Sequence, residues 1–139
     1  MILNRIDKKI SWGDLDSLCI VFYPRYYEWM DGCSHLYFEK IGVNLVDLWH
    51  RRQLIFSLVS TSCEYFRPGR YHQEIIIETG LEKLEQKTVT MSHTIIDKSS
   101  GKVMVKGLEK RICMNVHNMD QFSAMDIPDD LYEIFTVSL

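Results

Sequence analysis

Ser11-Trp12-Gly13-Asp14-Leu15-Asp16-Ser17-Leu18-Cys19-Ile20-Val21-Phe22-Tyr23-Pro24-Arg25-Tyr26-Tyr27 decides how this chain is read. Two aspartates lie in a short loop, an apolar run from Leu18 to Tyr23 follows, and Pro24 opens a helix. Proline suits the first helical position because its φ is preset and its missing N–H would have no partner there. Tyr26, Met30, Cys33, Tyr37 and Ile41 then recur at helical spacing, with Arg25, Glu28, Gly32, His35 and Glu39 on the opposite face. Tyr27, Asp31, Ser34 and Phe38 flank the apolar stripe. The pattern predicts a helix to about Lys40, ended at Gly42, and a short second helix over 45–52.

On either side of that helix the pattern is that of strands. Residues 4–12 read as a first strand, and from Leu54 onward the period changes to two. Ile55 to Phe66, Glu74 to Glu82, Thr88 to Ile96 and Val103 to Met114 are four further strands, the last two joined by the turn cluster 97–102. In the last strand the apolar set shifts from Val103 and Val105 to Leu108, Ile112 and Met114, so a β-bulge is expected at Gly107. A short helix is expected near Asp129 to Phe135. Strand, long helix, then four strands is an α+β order: an antiparallel sheet with one helix on one face, in a single domain over 1–139.

Composition narrows the function. A net charge of -3 leaves no electrostatic footprint for nucleic acid. No apolar run approaches the ~20 residues that span a bilayer, and the charged first ten residues lack a signal-peptide core. Cys19, Cys33, Cys63 and Cys113 have neither CxxC nor zinc spacing, so free thiols, no metal and a cytoplasmic location are expected. His93 alternates with apolar neighbours and reads as a hydrogen-bonded core or interface histidine. Asp31 reads as a solvated or paired helix residue. From spacing alone the aspartates of the loop read more readily as helix-capping groups than as catalysts.

Gly13, Asp14, Asp16, Ile20, Val21, Tyr23, Pro24 and Tyr26 together resemble the signature of the hotdog-fold acyl-CoA thioesterases, in particular the 4-hydroxybenzoyl-CoA thioesterase-like group. The resemblance implies a sheet wrapped around a long central helix and hydrolysis of an acyl-CoA without a cofactor. It places Asp16 as nucleophile or general base and the backbone N–H of Tyr23 as the donor that polarises the thioester carbonyl. Helix starts suit that second role because their first N–H groups are unpaired and favour negative charge. Asp14 would stabilise the loop, and Asp31 would lie near the acyl group. The same resemblance implies a homodimer or a dimer-of-dimers tetramer with sites between subunits.

The chain departs from the group's pattern at three places. Cys19 stands where a glycine is usual, which strains the loop if that position needs φ > 0. The basic cluster that holds the CoA phosphates corresponds to Glu85-Gln86-Lys87, where only Lys87 keeps a charge. Tyr23 stands where many relatives carry His. Lys87, Arg51, Arg52 and Arg70 are the candidate phosphate contacts. The reduced basic cluster keeps an acyl carrier protein thioesterase as an alternative. The lost glycine keeps a non-catalytic acyl-CoA-binding module as another.

Overall fold

A computed structural model describes residues 1–139. Strand β1 (Leu3–Lys9) leads through a single turn at Trp12–Asp14 and a short loop into helix α1 (Pro24–Lys40). A brief helix α2 (Leu45–Asp47) runs into a wide turn over Leu48–Arg52. Strands β2 (Leu54–Tyr65), β3 (Glu74–Leu84), β4 (Thr88–Asp97) and β5 (Val103–Asn115) follow, then β6 (Ser123–Ala124) and helix α3 (Asp129–Ser138). The strand order is β1-β3-β4-β5-β2, antiparallel throughout, with β6 added to the end of β5. This is the α+β hotdog arrangement, with the sheet curled around α1.

The first strand stops at Lys9 instead of running to residue 12. Ser11 and Asp14 cap the turn that follows, the Asp14 carboxylate accepting the Ser11 N–H at 2.9 Å. The bulge expected at Gly107 lies elsewhere. Val103 pairs with Ile96 and Val105 with Ile95, so Met104 is the extra residue. Further shifts bracket Val59 in β2 and Glu82 in β3. Gly107 keeps its register opposite His93 and Cys63. Its missing side chain has a packing cause: a Cβ there would run into Met30 Sδ of α1. Beyond Met104 the inward residues of β5 are the odd ones, and Leu108, Ile112 and Met114 turn away from the helix. The apolar pattern misleads because two of the inward positions carry charge, Glu109 and Arg111.

These charges form a layer across the middle of the core. On one side Ile10, Val21, Tyr26, Cys33, Ile75, Ile77, Ile95, Met104 and Val105 pack together. On the other, Tyr37, Phe38, Leu54, Phe56, Leu81, Val89, Met91 and Cys113 of the helix and sheet meet Leu131 and Phe135 of α3. Between the two halves lie Ser34, Thr79, His93 and Glu109, all buried. Glu109 Oε1 accepts from Ser34 Oγ at 2.9 Å and lies 2.7 Å from His93 Nε2, while Oε2 accepts from Arg111 Nη2 at 2.7 Å. Thr79 Oγ1 bonds the other ring nitrogen, Nδ1, at 2.9 Å. The same Arg111 nitrogen donates to Asp31 Oδ1 at 2.6 Å. A buried carboxylate without such partners would cost several kcal/mol.

Burial by itself would raise the Glu109 carboxyl. The His93 hydrogen bond, and the charges of His93 and Arg111, outweigh it and hold the group down to about 2. A carboxyl held below its ordinary 4.5 contributes stability that is complete above about pH 4.5 and is lost as the pH falls toward 2. Glu109→Gln is therefore expected to lower stability at neutral pH by about 3 kcal/mol and to flatten the acid limb of stability against pH. Urea unfolding at a series of pH values reads both effects, and an acid limb of unaltered slope would remove Glu109 from the account. Gly107→Val forces a side chain into Met30 and is expected to cost about 1–3 kcal/mol. The same denaturation measurement checks it, a neutral result meaning that Met30 simply moves aside.

Candidate active site

The loop before α1 is a small, tightly closed hairpin. Leu15 and Val21 bridge, the Asp16 N–H donates to Ile20 O at 2.8 Å, and the Cys19 N–H donates to Asp16 O at 3.0 Å. Three residues, Ser17, Leu18 and Cys19, make the reversal. Loops of this length end in one left-handed residue, and Cys19 takes that place with φ +61°. The turn usually served by glycine is thus kept by a cysteine, at a cost of about 1–2 kcal/mol in backbone strain. Asp16 Oδ1 accepts the Leu18 N–H at 2.8 Å, which is the local bond that aspartate makes two residues ahead. Oδ2 makes no hydrogen bond within the chain.

Asp14 ties this hairpin to the helix. Its carbonyl accepts the Phe22 N–H at 2.8 Å, and its carboxylate lies 3.5 Å from Arg25 Nε. Those contacts give Asp14 the loop-stabilising position that the motif implies. Tyr23 is the N-cap of α1, with φ -54° and ψ -31°, and Pro24 occupies the first turn. The next N–H groups turn back on the loop, Arg25 to Phe22 O at 2.9 Å and Tyr26 to Tyr23 O at 3.1 Å. The Tyr23 N–H is left without an acceptor in the chain, at the positive end of a 17-residue helix.

Asp16 and Tyr23 line one cleft of about 400 Å³ together with Ile20, Val21, Tyr26 and the segment Tyr65–Gly69. That volume is in the range of small-molecule sites. Tyr23, Tyr26, Tyr65 and Phe66 give the walls an aromatic part, with the Tyr26 and Tyr65 rings 5.8 Å apart. Gly69 is pressed against them: an added Cβ would sit 2.7 Å from Val21 Cγ2 and 2.9 Å from the Tyr26 hydroxyl. Burial pushes the Tyr26 hydroxyl up, offset in part by its bond to the Gly69 backbone. An ionisable carboxylate, a free backbone donor and an apolar wall in one cleft are the parts that acyl transfer to water requires.

The other expected site residues lie further away. Asp31 sits on α1 beyond Tyr23, bound to Arg111 and 3.7 Å from His35 Nε2. Lys87 precedes β4 and makes a 2.7 Å ion pair with Asp126. The cleft adjoins the other end of that strand, so Lys87 is about 30 Å from it at 3.3 Å per residue. The fold brings Asp16 and Tyr23 to one cleft and leaves Lys87 apart. Of the remaining phosphate candidates, Arg51 is paired with Asp47 and Arg52 with Asp130, whereas Arg70 has no carboxylate partner. His93 is the hydrogen-bonded core histidine that its alternation suggests. Burial pushes the Cys33 and Cys113 thiols up to about 11, so neither is a ready nucleophile. Sequence reasoning missed Ser34, Thr79, Glu109 and Arg111 as one network, and Arg67 as a cleft residue. The alternation of Glu109 and Arg111 with Gly107 and Cys113 was the available signal for the network.

The chain is similar to known proteins over nearly its whole length. The family model described as the thioesterase-like superfamily matches residues 10–135. The 4-hydroxybenzoyl-CoA thioesterase of Pseudomonas sp. (strain CBS-3) is 24% identical over 137 residues, covering 93% of this chain and 94% of the relative. Among solved structures, a gentisyl-coenzyme A thioesterase has a TM-score of 0.82 at 27% identity, over 95% of this chain and 99% of that one. A 4-hydroxybenzoyl-CoA thioesterase with an aspartate-to-asparagine substitution, complexed with 4-hydroxybenzoyl-CoA, has a TM-score of 0.87 at 23% identity, over 95% and 97% of the two chains.

Proposed function

This chain belongs to the thioesterase-like superfamily, and we propose that it hydrolyses an acyl-CoA thioester carrying an aryl, hydroxybenzoyl-like group or a short to medium acyl chain. The observation that carries the reading is that Asp16 and Tyr23, whose N–H has no acceptor in the chain, line the same cleft. The thioester carbonyl oxygen accepts the Tyr23 N–H, which polarises the carbon and stabilises the oxyanion that forms on it. Asp16 then acts through its unengaged Oδ2. As a nucleophile it bonds to the acyl carbon, expels the CoA thiolate, and the mixed anhydride is cleaved by water. As a general base it takes a proton from the water that attacks. Both routes release a carboxylic acid and free CoA, and neither calls on a cofactor.

An aryl group fits the tyrosine and phenylalanine walls of the cleft, and two of the relatives act on hydroxylated aryl-CoA esters by name. Asp31, held by Arg111 outside the cleft of its own chain, can meet such an acyl group only across an interface between two copies. Lys87 can serve a CoA phosphate only by leaving Asp126. The outer edge of β2 is unpaired along a 12-residue strand, with Leu58, Val59 and Tyr65 exposed. Pairing with a second copy would cover it, which supports a homodimer or a dimer of dimers. We place the reaction in the reducing cytoplasm, where four cysteines remain free.

The test is thiol release from a panel of aryl and aliphatic acyl-CoAs, with the same acyl groups presented on an acyl carrier protein as a second arm. Asp16→Asn is expected to lower kcat by about 10²–10⁴-fold while the protein still folds, because asparagine can keep the bond to Leu18. Undiminished hydrolysis by that variant would sink the assignment of Asp16. Saturable binding with no thiol release by the wild-type chain would make it a binding module instead.

A further inference from the structure

We propose that Arg67 and Arg70 hold the phosphates of coenzyme A at the mouth of the Asp16 cleft, an inference that rests on the acyl-CoA reading above. The seven arginines of the chain divide by their partners. Arg5 pairs with Glu78 at 2.9 Å, Arg25 with Glu28 at 3.0 Å, Arg51 with Asp47 at 3.7 Å and Arg52 with Asp130 at 2.8 Å. Arg111 holds Asp31 and Glu109. Arg67 and Arg70 have no carboxylate within 4.0 Å, and both belong to the turn that edges the cleft.

That turn is built rigidly. Pro68 presets one φ, and Gly69 lies so close to Val21, Ile10 and the Tyr26 hydroxyl that no side chain fits. The Val21 N–H donates to Gly69 O at 2.9 Å, and Arg70 bridges Ile20 through its backbone. The Arg70 N–H is fixed by Gln73 Oε1 at 2.9 Å. The Arg70 backbone is therefore bolted to the hairpin that carries Asp16, and the Arg67 N–H donates to Met104 O of β5 at 3.2 Å. Arg67 lines the cleft itself, and its Nη1 donates to Val103 O at 3.2 Å, which orients the guanidinium and leaves its other donors free.

Two exposed guanidinium groups, positioned by backbone and offset by no acid, present forked donors that match phosphate oxygens. The usual phosphate cluster is reduced here to Lys87, which Asp126 neutralises. The free positive charge of the chain's arginines has thus been placed beside the cleft instead. A thioester seated at Tyr23 would send its pantetheine arm out of that cleft, past this turn. Arg67 and Arg70 would then select for the phosphorylated carrier and leave the acyl group to other residues.

Calorimetric titration with free CoA, and separately with pantetheine, which lacks the phosphates, tests this without requiring turnover. Arg67→Gln and Arg70→Gln are each expected to raise the Kd for CoA about tenfold, and the double variant to raise it further. The loss for pantetheine should be at least about tenfold smaller than the loss for CoA. Arg67→Lys with Arg70→Lys should recover part of the CoA affinity. CoA affinity should also fall with added salt in the wild-type chain and fall less in the double variant. Failure of the wild-type protein to bind CoA, unaltered CoA affinity in the double variant, or equal losses for CoA and pantetheine would each overturn the inference. CoA binding that depends on both arginines, with no thiol release from any ester, would instead defeat the hydrolase reading and leave this one standing.

Discussion

One buried carboxylate organises the interior of this protein. Glu109 lies in the middle of the core, where an unpartnered charge would unfold the domain, and its two oxygens gather donors from three elements. Ser34 brings α1, His93 brings β4, and Arg111 brings β5 together with Asp31 on the helix. Apolar contacts tolerate some sliding; a set of bonds between 2.6 and 2.9 Å does not. The helix is thereby fixed in both roll and height over the sheet. Gly107 completes the constraint from the apolar side by letting Met30 approach the strand backbone.

Fixing the helix fixes what stands at its start. The core has two apolar halves divided by the polar layer, and each half closes one end of the molecule. Leu131 and Phe135 of α3 seal the end near Phe38 and Phe56. At the other end Val21 and Tyr26 pass from the core into the wall of the cleft, so the packing that holds the helix also shapes the site. The loop aspartates, the first helical turn and the Tyr65–Gly69 segment are consequently parts of one rigid assembly.

Much of this was legible in the chain because several local signals coincide. Pro24, the 3.6-residue stripe that begins at Tyr26 and the change to period two at Leu54 are each read without reference to distant residues. The Asp14 and Asp16 motif was legible for a different reason: its residue identities are specific, and its spacing matches a known chemical signature. What stayed hidden depends on partners far apart in sequence. Glu109 and Arg111 look like solvent-facing residues until His93 and Ser34 are seen to meet them. The parity of β5 was misread for that reason, since charge on the inner face and Leu108 on the outer face invert the usual pattern. Arg67 carried no signal either, because an arginine in a turn is ordinary until the five arginines outside that turn are found to be paired with acids.

The hydrogen bond from Leu18 to Asp16 has a consequence for which acid can stand at that position. A glutamate has the same charge and nearly the same acidity, yet its extra methylene carries the carboxylate past the N–H two residues on. The turn would lose its closing bond and the acid would lose its fixed bearing. The choice of the shorter side chain is thus made by the backbone before any substrate arrives. One oxygen keeps the loop closed and its twin is left without a bond in the chain, so that a single group both closes the turn and lines the cleft.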